Sequence, residues 1–228
     1  MKVYIDGENC RKGLTRVLQE AGDIAGSREM ESYRLRELLA DILVASPDEF
    51  EVSYYASEIR MPNGYQPSQD VMQHVARIRE YSRKWVPALI GQNISYIKAG
   101  YLKVKPTKEC RNCHTVQEVL QEKGVDVRIA TDMLEDAYTK KQDTIVIMSS
   151  DTDLCPALHK IKAQGAKVIY VCFADSINRA VSAVANQTLT IPIPKVQQYL
   201  QYEPEPQPKH AEQSEKEIED EPENSSNA

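Results

Sequence analysis

The stretch at residues 146–154 constrains the fold more than any other part of the chain. A run of apolar residues ends there in two hydroxyls, Ser149 and Ser150, and in two carboxylates, Asp151 and Asp153. A helical pattern follows at once. A buried strand that ends in this way places the acids at the carboxyl edge of a sheet, where open α/β folds bind their ligands. Because two such carboxylates repel each other unless a cation lies between them, the stretch predicts metal-assisted chemistry on a phosphate.

Predicted strands and helices alternate almost throughout the chain. The strands fall at residues 2–5, 51–56, 94–104 (interrupted at Gly100), 144–148, 167–172 and 188–191, with a very short one at 125–127. The helices fall at residues 10–20, 29–45, 69–88, 115–122 (one or two turns), 129–140, 154–164, 176–185 and 195–202. Most strands are short buried runs without alternation, which is typical of a parallel sheet covered on both faces. The pattern predicts an α/β fold with a mainly parallel sheet of about five to six strands.

Length, composition and charge indicate how many domains the chain can form. A chain of 228 residues with 41% hydrophobic content can bury one substantial core. Residues 203–228 hold nine acids against two bases, so residues 1–202 carry a net charge near +1 although the whole chain has −6. We therefore expect one domain at 1–202 and a disordered acidic tail at 203–228.

Cysteine content and hydropathy bear on the compartment. Five cysteines, an odd number, do not suit a disulfide framework. The N-terminus leads directly into a strand, and no apolar run approaches the roughly 18–20 residues that span a bilayer. These features predict a soluble, cytoplasmic protein without a membrane partner.

Acids from three parts of the chain are expected to converge. Asp6 ends the first predicted strand, Asp151 and Asp153 follow the strand at 144–148, and Asp132 falls in the first turn of a predicted helix. Ends of parallel strands with the same sense lie on one edge, so these carboxylates would form an oxygen-rich site suited to Mg²⁺ or Mn²⁺. The alternative is that Asp6, Asp132 and Asp153 are helix caps.

Three blocks resemble one family. They are YIDGEN at residues 4–9, KGVDVRIATDML at 123–134 and VIMSSDTDL at 146–154. Together they resemble the NYN domain family, and more closely its LabA-like branch, within the PIN-like nuclease superfamily. The resemblance covers about residues 1–192 and is loose between 21 and 103. Many relatives have an acid where this chain has Asn186, and the region 28–111 is longer than in a minimal domain.

The resemblance implies a Rossmann-like, three-layer PIN fold and metal-dependent cleavage of RNA. Its acidic site maps onto Asp6, Asp132, Asp151 and Asp153, with Asn9 in support. Asp6 and Asp151 would be metal ligands, while the other two acids would complete the site or orient the attacking water as a general base. Ser149 and Ser150 would bond ligands or phosphate oxygens, or only satisfy the strand end, and Asp126 is a candidate supporting acid. Asp6 and Asp151 are not expected in the core.

Basic and aromatic residues predict an RNA-binding segment. Lysines, arginines and tyrosines interleave between residues 96 and 111, a mixture suited to phosphates and bases, although a solvated loop is the alternative. The candidate RNA-binding residues, including one basic residue of the second block, are Lys98, Lys103, Lys105, Lys108, Arg111 and Arg128, with Tyr96 and Tyr101 beside them. The RNA would be single-stranded or structured.

A second metal is an open alternative. Cys110 and Cys113, in a polar loop at 105–114, supply half of the four ligands that a zinc site needs. The other half would come from elsewhere in the chain or from the second copy in a homodimer, and the alternative is that the loop is redox-sensitive.

The leading interpretation is a metal-dependent endoribonuclease. The first alternative is a catalytically weak RNA-binding or regulatory module that acts through partners. The second is a small-molecule phosphatase of the haloacid-dehalogenase type, which is disfavoured because that type needs Asp-x-Asp after its first strand and this chain has Asp6, Gly7 and Glu8.

Overall fold

The computed structural model describes residues 1–24, 27–60, 67–106, 118–139 and 141–200, with the backbone alone at 27–29. Four residues with predicted roles lie outside these ranges, namely Lys108, Cys110, Arg111 and Cys113. The segment predicted to be an acidic tail, 203–228, also lies outside them.

Within the described residues the chain forms one mixed sheet of seven strands. The strands are β1 (Lys2–Asp6), β2 (Glu51–Arg60), β3 (Ser95–Pro106), β4 (Glu118–Lys123), β5 (Thr144–Met148), β6 (Lys167–Phe173) and β7 (Gln187–Ile191). Their order in the sheet is β4-β3-β2-β1-β5-β6-β7. All neighbours are parallel except β3 and β4, which pair antiparallel. The predicted α/β class and mainly parallel sheet are confirmed, with one edge strand more than expected.

Helices cover both faces of the sheet. They are α1 (Gly7–Glu20), α2 (Leu35–Leu43), α3 (Gln69–Gly91), α4 (Val125–Tyr138), α5 (Cys155–Ala163), α6 (Arg179–Val184) and α7 (Ile193–Gln198). One apolar cluster joins the sheet to α1, α2, α3 and α7, and a second joins the opposite face to α4, α5 and α6. Because both faces are covered, β1, β5 and β6 are buried almost throughout. The result is the three-layer arrangement that the resemblance implied.

Two predicted elements around residues 115–127 are wrong. Of the segment predicted to form helical turns, the described part at 118–122 lies in the strand β4, whose backbone pairs with β3 from Tyr101↔Lys123 to Pro106↔Glu118. The short strand predicted at 125–127 is instead the first turn of α4, which starts after Gly124 in a left-handed conformation (φ 89°). Tertiary pairing with β3 therefore outweighs the weak local helical preference of the first segment.

The predicted helix at 29–45 is also interrupted. A 3₁₀ turn at Ser27–Ser32 precedes α2, and Tyr33 lies between them. The Tyr33 hydroxyl donates to the carbonyl of Val196 at 3.0 Å, and the Arg34 amide donates to that of Tyr199 at 3.0 Å. Contacts with the last helix thus divide this segment in two.

Strands β2, β3 and β4 project beyond the carboxyl end of β1. Asp6, the last residue of β1, pairs with Tyr55, yet β2 continues to Arg60. A register shift between Ala56 and Glu58 marks a bulge beside Gly100, where the strand interruption was predicted. Gly100 has φ 76°, and a Cβ there would lie 2.1 Å from the carbonyl oxygen of Lys123. The projecting ribbon (56–60, 98–106 and 118–123) therefore stands over the edge at which β1 and β5 end.

Among the helices that the structure describes, none combines the length and the apolar character needed to cross a membrane.

Candidate functional site

The acids predicted at the ends of two strands do lie at the same edge of the sheet. β1 and β5 are adjacent and parallel, with Ile5 opposite Met148, so Asp6 and Ser149 leave the sheet side by side. The chain runs from β1 toward β2 on one side and from β5 toward β6 on the other. Such a switch point leaves a crevice outside the carboxyl ends of the strands.

Asp6 is at the centre of this crevice and is held by its neighbours. Its Oδ1 accepts the backbone amide of Asn9 at 3.1 Å, which caps α1, and its Oδ2 accepts the Ser149 hydroxyl at 3.0 Å and the Asn9 side-chain amide. Asp6 is only 3% exposed, so the expectation that it stays out of the core is wrong. The capping alternative is confirmed for Asp6, and the same bonds fix the carboxylate in one orientation.

A short hydrogen-bonded network continues from Asp6 to Asp151. The Ser150 hydroxyl donates to Asn9 Oδ1 at 2.7 Å, and the Ser149 hydroxyl accepts the Asp151 amide at 3.2 Å. Asp151 Oδ1 in turn accepts the amide of Asp153 at 2.8 Å and caps a 3₁₀ turn at Thr152–Leu154. The two serines therefore organise the acids rather than only closing the strand, and Asp151, not Asp153, is the capping residue.

Asp126 joins this group from α4. Partial burial and the charges of Asp151, Asp6 and Asp153 together raise the pKa of the Asp126 carboxyl. The carboxylates of Asp151, Asp6 and Asp153 therefore lie within electrostatic range of Asp126. The sequence placed Asp126 in a supporting role because it put the start of the helix four residues too late.

Glu122 is an acid that the sequence reasoning missed. It lies on β4, exposed on the ribbon, and accepts the Ser57 hydroxyl at 2.8 Å. Partial desolvation, followed by the charges of Asp6, Glu8 and Asp126, raises the pKa of its carboxyl. Since the segment was predicted to be helical, its approach to Asp6 could not be anticipated.

Asp132 occupies a different place from the predicted one. It lies mid-helix in α4, where it accepts the Tyr55 hydroxyl at 3.0 Å and pairs with Arg128 Nε at 2.8 Å. It lines a separate depression beside Lys98 and Gly100. One turn later, Asp136 accepts the Tyr4 hydroxyl at 2.5 Å in the same manner. These two pairs attach α4 to the sheet, and the catalytic role predicted for Asp132 stays a prediction.

Asn186 lies at the opposite edge of the sheet. Its side-chain oxygen accepts the amide of Val168, at the start of β6, at 2.9 Å. An acid at this position would thus stand far from the carboxyl ends of β1 and β5. The polar residue that does reach the site from this part of the chain is Asn178, whose side-chain amide donates to the Ser150 carbonyl at 2.7 Å.

Several predicted RNA-binding residues lie on the ribbon. Lys103 Nζ and the Arg60 guanidinium lie 5.1 and 5.3 Å from the centroid of the Tyr101 ring, and Lys105 is exposed nearby. Arg60, which the sequence reasoning did not single out, thus shares an aromatic residue with Lys103.

The other predicted RNA-binding residues in the described part of the chain already interact with partners inside the protein. Lys98 pairs with Glu58 at 3.3 Å, and Arg128 is engaged by Asp132. Tyr96 stacks against Tyr54 at 6.2 Å between centroids, so it serves packing more than contact with a base.

The group around Asp6 has the donor chemistry of a Mg²⁺ or Mn²⁺ site, since every side chain in it offers oxygen. Among the described residues, however, no three His, Cys, Asp or Glu side chains are close enough to hold an ion together. Mg²⁺ is commonly bound by one or two carboxylates, with water and substrate phosphate as the remaining ligands. The crowding of Asp126 by three other acids fits a site that a cation completes in this way.

Comparison with known proteins identifies the family. The sequence model of the NYN domain matches residues 1–192, which is most of the chain and nearly all of the described fold. None of the curated proteins with which the chain was compared matches it. The matched region contains both strands of the switch point and every acid of the site. The chain belongs to the NYN domain family, within the PIN-like nuclease superfamily.

Proposed function

We propose that this protein is a metal-dependent ribonuclease that hydrolyses internal phosphodiester bonds of RNA. The observation that carries the proposal is the hydrogen-bonded network at the switch point, in which the Ser149 hydroxyl donates to Asp6 and accepts the amide of Asp151. Burial and the charges of Asp151, Asp6 and Asp153 also raise the pKa of the nearby Asp126 carboxyl. Membership in a nuclease superfamily supports the reaction class. Within the LabA-like branch, which stays a prediction, RNA is the expected substrate.

Asp6 and Asp151 are the proposed ligands of the cation. Both are anchored by hydrogen bonds that leave part of each carboxylate available, and Asp153 lies beside Asp151 on the same turn. When bound, Mg²⁺ or Mn²⁺ would neutralise charge on the phosphate and make an attacking water more acidic.

The protein's own residues supply proton transfer and positioning. Asp126 is suited to accept a proton from the attacking water, because its raised pKa makes it a stronger base than an ordinary aspartate. Asn9 and Ser149 keep the Asp6 carboxylate in place through their bonds to Oδ2. Asp132, predicted as a catalytic acid, would in this proposal act by attaching α4 to Tyr55.

The ribbon would hold the RNA strand over this site. Arg60, Lys103 and Lys105 are placed to contact phosphates, and Tyr101 offers a ring against which a base can stack. Because the ribbon projects past Asp6, a strand bound along it would pass the acids. Whether Lys108 and Arg111 extend this surface stays a prediction, as does a zinc site at Cys110 and Cys113.

A cleavage assay on the purified full chain tests this function. End-labelled single-stranded RNA, double-stranded RNA and DNA are each incubated with Mn²⁺, with Mg²⁺ and with EDTA. We expect internal cleavage of RNA with at least one metal and none with EDTA. Cleavage that persists in EDTA, or no cleavage of RNA with either metal, would contradict the proposal.

The alternative of a catalytically weak RNA-binding module draws on one observation. No three acidic side chains among the described residues stand close enough to hold a cation without further ligands. A filter-binding measurement on the same RNAs separates the two functions. Tight RNA binding with no turnover under any metal condition would favour the binding module.

A further inference from the structure

A cavity of about 380 Å³ lies next to the acidic site, between α1 and the carboxyl ends of β5 and β6. Its volume falls within the roughly 300–1,000 Å³ of small-molecule sites. Asn9, Ser149 and Ser150 form part of its wall, and the same residues hydrogen-bond to Asp6 or to each other. The cavity and the acidic group therefore share one wall.

The interior of the cavity is apolar and partly aromatic. Cys10, Met148, Tyr170, Cys172 and Phe173 line it, and each of these side chains is at most 6% exposed. Burial raises the pKa of the Cys10 thiol, with a smaller effect of Asp6, so this cysteine is a neutral lining residue. Flat heteroaromatic groups are favoured by such surroundings, because they bury apolar faces while their polar edges stay near the opening.

The packing of α1 against the wall of the cavity depends on Gly13. A Cβ built at this position would lie 2.1 Å from Cε2 of Phe173, so α1 can rest against this ring only because residue 13 has no side chain. The close approach fixes the phenyl ring as one wall of the cavity.

Two cations stand at the opening, one helical turn apart on α1. Arg16 forms a two-pronged pair with Asp175 at 2.6 and 2.9 Å and donates to the Ser176 hydroxyl at 3.4 Å, which holds its guanidinium at the rim and engages three of its five N–H donors. Lys12 is 67% exposed and shares Glu8 with Arg11, so one carboxylate serves two cations there. The rim can therefore offer positive charge to a phosphate beside an apolar cavity.

We propose that this cavity receives the base of the nucleotide next to the scissile phosphate, while Arg16 and Lys12 contact the phosphate of that nucleotide. The inference rests on the proposed function and deepens it, since it assigns the feature that would set base preference. The shared wall of Asn9, Ser149 and Ser150 would place the next phosphodiester at Asp6 and Asp151.

Calorimetry with the four ribonucleoside 5′-monophosphates, in EDTA, tests the inference on the full chain without metal. We expect saturable binding of at least one nucleotide. Ribose 5-phosphate should bind at least about tenfold more weakly, because it lacks the stacking base. Arg16→Gln should weaken nucleotide binding about tenfold, as expected when a charged hydrogen-bond donor is removed.

Two further variants complete the test. Ser176→Trp adds bulk at the exposed rim and should block binding without touching the core. Lys160→Gln removes an exposed charge from α5, away from the cavity, and should bind like the wild type.

The outcomes separate this inference from the proposed nuclease. Equal binding of ribose 5-phosphate, binding only with a divalent cation, or binding unaffected by both Arg16→Gln and Ser176→Trp would overturn the inference. Cleavage of RNA by a protein that fails these binding tests would leave the nuclease standing. Binding that passes every test in a protein without metal-dependent cleavage would overturn the nuclease, and would leave the cavity as a nucleotide site with no scissile phosphate beside it.

Discussion

At the scale of single residues, Asp126 is the group whose surroundings say most about the site. Its carboxyl is partly buried and faces the charges of Asp151, Asp6 and Asp153, all of which favour its neutral form. A carboxyl group with a raised pKa stabilises the fold below its pKa in the unfolded chain. It loses that contribution as pH rises through its pKa in the folded protein. The crowding of acids is therefore measurable as pH-dependent stability.

Asp126→Asn should accordingly change stability in a pH-dependent direction. Near pH 7 in EDTA the variant should gain in melting temperature relative to the wild type, because the repelled charge is gone. Near pH 4, close to the ordinary aspartate pKa of 3.8, the gain should shrink. Thermal denaturation at both pH values measures this, with the exposed Asp143→Asn as matched control. A difference that is the same at both pH values would show that Asp126 does not face the other acids.

At the scale of elements, α4 carries two acids with different surroundings, Asp126 in its first turn and Asp132 in its middle. Asp132 accepts the hydroxyl of Tyr55, a residue that is only 1% exposed. Losing this partner leaves the hydroxyl unsatisfied, whereas losing Asp126 removes a proposed proton acceptor on the first turn of the same helix.

Asp132→Ala is therefore expected to reduce stability more than activity. The free energy of unfolding should fall by about 1–3 kcal/mol, while single-turnover cleavage stays within about tenfold of the wild type. Asp126→Asn should slow cleavage at least about a hundredfold. Denaturant unfolding and single-turnover rates measure both effects, with the exposed Glu135→Ala on α4 as control. If Asp132→Ala abolishes cleavage at unchanged stability, Asp132 belongs to the site as the sequence predicted.

The turn from β1 into α1 is a second element on which the position of Asp6 depends. A Cβ on Gly7 would lie 2.4 Å from Tyr54 Cε1 and 2.5 Å from the carbonyl oxygen of Tyr55. Gly7→Ala should therefore cost about 1–3 kcal/mol of unfolding free energy and should also lower cleavage, since Asp6 precedes the displaced residue. Gly91→Ala, in a helix with nothing within 4 Å of the added Cβ, should be neutral or slightly stabilising. Chemical denaturation of the two variants measures their unfolding free energies, and equal values would contradict the predicted difference.

At the scale of the whole molecule, the sequence was most informative where burial sets the pattern. The apolar runs before Asp6 and Ser149 predicted two parallel strands that end at the same edge, and these strands are in fact neighbours, paired from Lys2 to Ile5. β4 could not be predicted, because an edge strand with few buried residues has a weak pattern and forms through pairing with β3. The strand predicted at 125–127 also put the start of α4 too late, which placed Asp132 in the first turn and gave Asp126 a supporting role. The electrostatic influence of Asp6 and Asp126 on Glu122 depends on β4, so it could not be predicted either.

The central claim is that the carboxylates at the ends of β1 and β5 carry metal-dependent cleavage of RNA. The most direct measurement is the single-turnover cleavage rate of end-labelled RNA in Mn²⁺ by Asp151→Asn, beside the wild type and Asp143→Asn. Asparagine can still cap the turn that Asp151 caps, so the fold should be retained. We predict that Asp151→Asn loses at least about a hundredfold in rate while Asp143→Asn, at the opposite edge of the sheet, matches the wild type. Equal rates for all three proteins would contradict the account.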